Sequence, residues 1–296
     1  FIHHRPYFHK PIFSLSFRAS SSFKLSSIRA SSSSTPFFEP PKPSPSLLQT
    51  LTPLLKTTCI TVTAIVETAT RESMVSLEEQ EKTLVQKLGK TPNDVETLRS
   101  LMEVRIKLKK LQQAIDVIER LIRLEPQDPE WPMLRAQIHS YAGNFELAKK
   151  EFEEILAKDP DRVEAFHGLV MAYSDSGQKL KELEKRIEGA MEKCKKEKKN
   201  KDFRDFKLLI AQIRVIEGRH SEALKVYEGL VKEEPKDFRP YLCMGIIYTL
   251  LKKKAEAEKQ FEKFRKLVPK NHPYREYFVD NMIATRLFAE KAEREG

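Results

Sequence analysis

The chain has 296 residues, of which 40% are hydrophobic and 32% are charged, so it can bury a sizeable core; its 9 glycines are too few for a loop-rich or dinucleotide-binding fold. The formal net charge is +10, but five basic residues within residues 1–30, a segment without any acid, supply half of it. The surplus over the rest of the chain is too dilute to indicate nucleic-acid binding, and three widely spaced cysteines exclude a disulfide framework and a zinc-ligand set.

Residues 1–30 have the composition of an organellar transit peptide. No Asp or Glu occurs before Glu39, serine is abundant, and Arg and Lys are scattered among Phe and Ile, whereas a secretory signal needs one continuous apolar run. Serine outnumbers arginine, which favours a plastid, and the residues before Ser31 resemble a plastid processing site. The chain begins with Phe1 rather than Met, so we expect this leader to be incomplete at its start. The alternative is an unstructured tail of accidental composition.

Two further segments precede the body of the chain. Residues 31–45 form a linker rich in Ser and Pro, which cannot enter a helix, and we expect leader and linker to be disordered. Residues 46–66 are apolar but diluted by Pro53, Lys56 and several threonines, whereas a spanning helix needs about 20 predominantly apolar residues. This segment is either a weak membrane anchor or a degenerate first helix that packs on the body of the chain.

Prolines that follow amphipathic stretches recur at a fixed interval. Pro92, Pro126, Pro160, Pro235 and Pro269 are separated by 34, 34, 75 and 34 residues, and 75 is two intervals of 34 plus seven. A 34-residue period of paired helices is typical of the tetratricopeptide repeat (TPR), and the chain resembles that family. The resemblance implies an all-α fold, a TPR α-solenoid in which helix-turn-helix repeats form a right-handed superhelix.

The other TPR marker positions agree with this register. If each proline is position 32, small residues at position 20 and large apolar residues at position 24 fall on one helical face: Ala114, Ala148, Ala223 and Ala257, with Ile118, Phe152, Tyr227 and Phe261. Each hairpin carries more apolar surface than it can bury alone, so consecutive hairpins must stack. The array is predicted over residues 76–271, with a half repeat at 76–92 and repeats at about 95–128, 129–162, 163–203, 204–237 and 238–271.

Three parts of the array depart from the pattern. A capping box at 76–79 is predicted to open the first helix. The third repeat lacks its proline, and we expect its second helix, shifted by one residue to Leu183, Ile187 and Ala190, to be prolonged into a charged spur that ends at 193–201. This spur is either a solvated helix end or a contact for an acidic partner or RNA.

The C-terminal residues 272–296 are predicted to form a capping helix and tail. The helix is expected from Pro273 to about Glu290, because proline is favoured in the first turn of a helix. We expect its inward side chains to be Tyr274, Phe278, Ile283 and Leu287.

The sequence contains no recognisable catalytic, cofactor or metal motif. H-E-x-x-H, G-x-S-x-G, the phosphate-binding G-x-x-x-x-G-K-[ST] and G-x-G-x-x-G are all absent. The histidines outside the leader, His139, His167, His220 and His272, fall one per repeat element. We therefore expect no enzyme activity and no cofactor.

The TPR resemblance also implies a partner-binding surface. In TPR proteins, positions 2, 5, 9, 12 and 13 of the first helices point into the concave face. The predicted partner-binding residues are Arg99, Glu103, Met133, Gln137, Tyr141, His167, Met171, Leu208, Gln212, Val215, Arg239, Leu242 and Ile246. The N-terminal half of this face is polar and acidic and the C-terminal half is largely apolar, which fits an amphipathic helix or an extended apolar peptide. The Lys and Asn that clamp a terminal carboxylate in some TPR proteins are absent. The alternative is a face that contacts only solvent or the chain's own N-terminal segment.

The serine-rich leader, the stretch LLKTTCITVTA at 54–64 and the irregular central repeat together resemble the SLOW GREEN family of chloroplast TPR proteins. The resemblance implies a non-catalytic role in chloroplast development, in association with chloroplast membrane, that supports assembly, biosynthesis or turnover of plastid proteins. The rival class is an RNA-binding helical-repeat protein of the organelle. Pentatricopeptide arrays run mostly at 35 residues, so the 34-residue spacing favours a protein or peptide partner over nucleic acid.

Overall fold

A computed structural model describes residues 74–270 together with Val279, Met282 and Ile283. The predicted transit peptide, the linker, the apolar segment 46–66 and most of the predicted capping helix at 272–296 lie outside the described residues. Residues 74–270 contain eleven helices and no strand. They are α1 Met74–Lys90, α2 Val95–Lys107, α3 Leu111–Leu124, α4 Glu130–Tyr141, α5 Phe145–Lys158, α6 Val163–Asp175, α7 Lys181–Lys196, α8 Asn200–Ile216, α9 His220–Glu233, α10 Arg239–Leu250 and α11 Lys254–Leu267.

The helices stack in chain order, as an α-solenoid requires. The pairs α2–α3, α4–α5, α8–α9 and α10–α11 are close-packed hairpins, and the second helix of each hairpin before the last packs on the next helix in the chain. The first helix α6 also contacts the first helices on either side of it, α4 and α8. Contacts therefore run between neighbouring hairpins, as expected for a quasi-one-dimensional repeat fold.

Four of the five periodic prolines, Pro92, Pro126, Pro160 and Pro235, lie in the turn before the next hairpin, as the sequence predicts, and Pro269 follows the end of α11. Glu125, Asp159 and Glu234 precede three of these prolines, and each has a non-helical backbone, with φ between −127° and −141°. A proline disfavours the helical conformation of the residue before it, so the helix ends there. The three backbone N–H groups still donate to the carbonyl four residues earlier, which closes the last helical turn.

The marker residues form the core between helices. The four alanines at position 20 are at most 5% exposed, and the large apolar residues at position 24 are at most 1% exposed. At Gly245 the helices approach so closely that a Cβ atom would lie 2.5 Å from a ring carbon of Phe261. Gly168 faces the ring of Phe152 in the same way, at 2.3 Å. A side chain at either position would overlap an aromatic ring unless that ring moved.

The third repeat differs from the expected spur. The helix α7 ends at Lys196, and the chain turns back over 197–199 into α8, so the additional residues are shared by the loop 176–180, α7 and the first turn of α8. The expectation that the second helix alone is prolonged into a projecting spur is therefore wrong. Cys194 near the end of α7 is fully buried, and Lys193 and Lys199 hold the two oxygens of Asp161 at 3.0 and 2.9 Å.

The turn at 197–199 is of the kind found within hairpins, which explains the missing proline. Lys198 has a positive φ of 58°, as do Lys109 and Lys252 at the tips of α2–α3 and α10–α11. Its backbone hydrogen bonds repeat those of the α2–α3 tip. The packing agrees with this turn type, because α7 packs closely on α8 as the two helices of a hairpin do. The backbones of α6 and α7 lie farther apart than those of the two helices in each of the four hairpins named above. The inward residues Leu183 and Ile187 are buried as predicted.

Two predictions at the ends of the array are wrong in detail. The helix α1 already includes Met74 and Val75, so Ser76 lies inside it, and its hydroxyl oxygen accepts a hydrogen bond from Gln80 at 3.5 Å instead of capping the helix. Beyond 270, Ile283 is 44% exposed, whereas Met282 is buried at 2% against the α8–α11 core. The inward position predicted for Ile283 is therefore wrong, and those predicted for Tyr274, Phe278 and Leu287 lie outside the described residues.

Candidate partner-binding face

The inner face is defined here as positions 2, 5, 9, 12 and 13 of the repeats that start at 95, 129, 163, 204 and 238, which lie on the first helices α2, α4, α6, α8 and α10. Eight of the thirteen predicted binding residues are buried on it, with at most 8% exposure: Met133, Gln137, Met171, Leu208, Gln212, Val215, Leu242 and Ile246. The other five keep exposed surface: Arg99, Tyr141, His167 and Arg239 in part, and Glu103 largely.

The apolar C-terminal half of the inner face is core. Leu208, Val215, Leu242 and Ile246 belong to one hydrophobic cluster that also holds the marker residue Tyr227. As they stand, these side chains offer almost no surface to a partner. The repeat register places a residue on a helix face but does not show how deeply neighbouring helices cover it, so the sequence overestimated the open apolar surface.

Arg99 connects the first two repeats through its side-chain contacts and also keeps exposed surface. Its Nη2 donates to Glu125 Oε2 at 2.8 Å, and its guanidinium carbon lies 4.7 Å from the ring centroid of Trp131. The indole Nε1 of Trp131 donates to the same carboxylate oxygen at 3.1 Å. Trp131 therefore helps to hold the first two repeats together. The sequence pattern did not assign this role, because one of its partners lies in the preceding repeat and the other in the turn.

The inner face is acidic although the chain as a whole is basic. Its acidic residues are Glu96, Glu103, Glu130, Glu164, Asp175 and Asp205, and its basic residues are Arg99, Lys107 and Arg239. Of the acids, Glu96, Glu103 and Glu130 are exposed, and Glu103 pairs with Lys107 at 3.4 Å while Glu130 pairs with Arg162 at 2.6 Å. Because charges of one sign along a concave surface attract partners of the other sign, this face favours a basic partner.

A cluster of four charged residues, in which the two carboxylates are buried, joins α8 to α10. Arg239 donates through Nη1 to Asp205 Oδ1 at 3.0 Å, and through Nε and Nη2 to the two oxygens of Asp237 at 2.9 and 2.8 Å. Arg204 donates to Asp237 Oδ2 at 2.9 Å. The sequence pattern singled out Arg239 but neither carboxylate, because the three partners lie in two repeats and a turn.

The two carboxylates of this cluster differ in their number of donors. Burial raises the pKa of Asp205 to about 6, because one hydrogen bond from Arg239 does not offset the loss of water. Burial acts to raise the pKa of Asp237 too, but hydrogen bonds from Arg239 and Arg204 outweigh it, and that pKa lies below its usual value. Of the two carboxylates, Asp205 is therefore the one whose cost of burial is not offset by its hydrogen bonds and neighbouring cations.

Two buried acceptor atoms on α8 have no hydrogen-bond partner among the described residues. They are Oδ2 of Asp205, a residue 1% exposed, and Oε1 of Gln212, a residue 3% exposed. The amide nitrogen of Gln212 lies 3.6 Å from the sulfur of Met171 in α6. Since Gln212 follows Asp205 by seven residues, both lie on the same side of α8, roughly 10 Å apart along its axis.

Neither cysteine among the described residues is an accessible nucleophile. The two described cysteines, Cys194 and Cys243, are buried, and burial raises the pKa of the Cys243 thiol to about 12, so it stays protonated at neutral pH. Within the part of the chain that the structure describes, no group of three His, Cys, Asp or Glu side chains could hold a metal ion. In residues 74–270, no helix is both long enough and apolar enough to cross a membrane.

Comparison with known proteins agrees with the repeat pattern. A tetratricopeptide-repeat family model matches residues 101–166. The chloroplast protein SLOW GREEN 1 of Arabidopsis thaliana is 37% identical over 206 residues, which cover 70% of this chain and 65% of that protein, so the chain spans less than two thirds of this relative.

Solved structures share the fold. A tetratricopeptide-repeat protein from Parabacteroides merdae aligns with a TM-score of 0.53 and 18% identity, over 80% of this chain and 88% of that one. Yeast Tom70 aligns with a TM-score of 0.50 and 16% identity, over 73% of this chain and 43% of that one.

Proposed function

We propose that this chain, a tetratricopeptide-repeat protein similar to the chloroplast protein SLOW GREEN 1, is a non-catalytic scaffold of the chloroplast that binds protein partners on its inner face. The observation that carries the proposal is the row of exposed acidic side chains on the first helices of the N-terminal repeats, Glu96, Glu103 and Glu130. Rigid stacked hairpins hold these charges in a fixed arrangement, which lets a partner be recognised without ordering the scaffold.

The thirteen predicted binding residues divide into two roles in this proposal. Arg99, Glu103, Tyr141, His167 and Arg239 contact the partner, because they keep exposed surface. The buried residues among the thirteen support the helices that carry them. The biological role follows the resemblance: support of chloroplast development through assembly, biosynthesis or turnover of plastid proteins.

An RNA-binding function fits the inner face less well. RNA-binding surfaces need positive charge along the phosphate backbone, and here acids outnumber bases six to three. An RNA shift assay on the full chain at two salt concentrations tests this alternative. A complex that weakens steeply with salt and survives charge reversal of the acids would favour RNA.

Affinity capture from isolated chloroplasts tests the proposal. The bait is the full chain, compared with a variant that carries Glu96→Lys and Glu103→Lys. The matched control carries Glu188→Lys and Glu228→Lys, which reverse the charge of two exposed residues on the second helices α7 and α9. We expect proteins that the wild type and the control retain and the inner-face variant loses. If all three baits retain the same proteins, the inner face is not the binding surface.

Association with the chloroplast membrane through residues 46–66 belongs to the same proposal. Carbonate extraction of membranes that contain the protein separates the two alternatives for this segment. A spanning helix stays in the membrane pellet, whereas a helix that packs on the repeats is released with the soluble proteins.

A further inference from the structure

Asp205 presents a hydrogen-bond acceptor that the described structure does not use. Arg239 occupies one oxygen of this carboxylate, while the other is buried without a partner. Buried polar atoms are almost always hydrogen-bonded, and an acceptor left without a donor lowers the stability of the folded state. A ligand that supplies the missing donor would recover that loss.

The surroundings of this oxygen define the donor. Asp205 holds position 2 of the repeat that starts at 204 and lies in α8, and Leu208, one turn later, lies on the same side of the helix. Leu242 holds the corresponding position of α10, and both leucines are buried. The second unpaired atom on this side of α8, Gln212 Oε1, is also an acceptor. A matching group must therefore donate hydrogen bonds and carry an apolar stem.

We infer that Asp205 is the specificity-determining residue of the inner face and accepts the ammonium or guanidinium group of a lysine or arginine in the bound partner segment. This inference rests on the proposed function. Arg239 keeps Oδ1 of the carboxylate, and the incoming cation takes Oδ2. Since Asp205 is only 1% exposed, neighbouring side chains must move aside before a partner reaches Oδ2, and the charged group then extends to it on a flexible aliphatic stem, as lysine and arginine side chains do.

The charge of the inner face supports the same partner. Acidic residues dominate it although the chain as a whole is basic, so a basic segment is attracted to this face. With a pKa of about 6, the carboxylate is ionised at pH 7.5 and can form a charge-assisted hydrogen bond.

A phage-displayed library of random 12-residue peptides, selected on the immobilised full chain at pH 7.5, tests the inference. We expect a basic residue at one position of the selected peptides. The best peptide is then synthesised with that residue and with norleucine in its place, which keeps an apolar stem without the charge. Fluorescence polarisation measures both peptides on the wild type, Asp205→Asn and Asp202→Asn, the last being a matched charge removal on a partly exposed residue of the same helix.

We expect Asp205→Asn to weaken the binding of the basic peptide about 10- to 100-fold and to leave the binding of the norleucine peptide unchanged. Asp202→Asn should bind both peptides as the wild type does. Circular dichroism confirms that each variant is folded. If the selected peptides have no basic consensus, or if the two peptides respond equally to Asp205→Asn, the role of Asp205 is refuted while the proposed function stands. If no peptide binds the wild type better than the variant with Glu96→Lys and Glu103→Lys, both fail.

Discussion

Asp205→Asn is expected to stabilise the protein at neutral pH and to reduce the pH dependence of its stability. The carboxylate is 1% exposed and receives one hydrogen bond, from Arg239. Besides that guanidinium, the charged groups that act on it are Lys201, which favours its ionised form, and Asp237, which opposes it. Burial outweighs the two cations, so ionised Asp205 costs the folded state free energy.

The size of this cost follows from proton linkage. An acid whose pKa is higher in the folded than in the unfolded state binds its proton more tightly when folded, so stability falls as the pH rises between the two values. For Asp205 these values are about 6 and 3.8, a difference that corresponds to about 3 kcal/mol above pH 7. Asparagine removes the charge but buries an amide group, so we expect a net gain of about 1 to 3 kcal/mol at pH 7.

Urea unfolding followed by circular dichroism at pH 4 to 8 measures the difference between the wild type and the variant. This difference should be largest at pH 7 and small near pH 4, where Asp205 is protonated in the folded state and about half protonated in the unfolded state. Hydrogen exchange of α8 and α10 locates the change, because repeat arrays can open locally. Asp202→Asn is the control and should show no such pH-dependent gain. If Asp205→Asn is less stable than the wild type at pH 7, the attraction of Arg239 exceeds the cost of burial and the reasoning is refuted.

Three further predictions concern packing, backbone strain and thiol reactivity. Gly245→Ala should destabilise the protein by about 1 to 3 kcal/mol, because the added methyl group would overlap Phe261. Gly229→Ala in α9 has no atom within 4 Å of the added methyl group and should stabilise the protein by about 0.5 to 1 kcal/mol. Urea unfolding of both variants measures the two effects. Lys252→Gly should stabilise the protein by up to about 1 kcal/mol, because φ is 58° at this position, and an unchanged urea midpoint would argue against strain there. Cys243 should resist iodoacetamide at pH 8 until the protein is unfolded, as mass spectrometry of the native and denatured chain would show; rapid labelling of the native protein would contradict its burial and its pKa of about 12.

The repeat architecture was predictable because its signals are local. A proline forces the residue before it out of the helical conformation, so Pro126, Pro160 and Pro235 mark helix ends without reference to distant residues. Ala148 and Phe152 are about one helical turn apart and therefore lie on the same face of their helix, and both residues are buried. Because each hairpin contacts only its neighbours, a correct prediction of the hairpins is enough to predict the solenoid.

The irregular third repeat was not predictable in the same way. Seven additional residues can be placed in a loop, in the second helix or in the helix that follows, and no proline marks the choice. The chain turns at Lys198 in a left-handed conformation, which lysine rarely adopts. Burial of Cys194 and the pairing of Asp161 with two lysines are associated with that turn, and both depend on contacts with other helices.

The sequence alone determined the helical class, the period and the inward faces of the helices, since each follows from residues within one or two turns of each other. Only the tertiary structure decided which residues of the inner face are open and which carboxylate lacks a donor. Asp205 and Arg239 are 34 residues apart, and Arg204 and Asp237 are 33 apart, so each pair forms only when neighbouring repeats are stacked. Burial and pairing of charges depend on that stacking, because they depend on how much water the neighbouring helix removes.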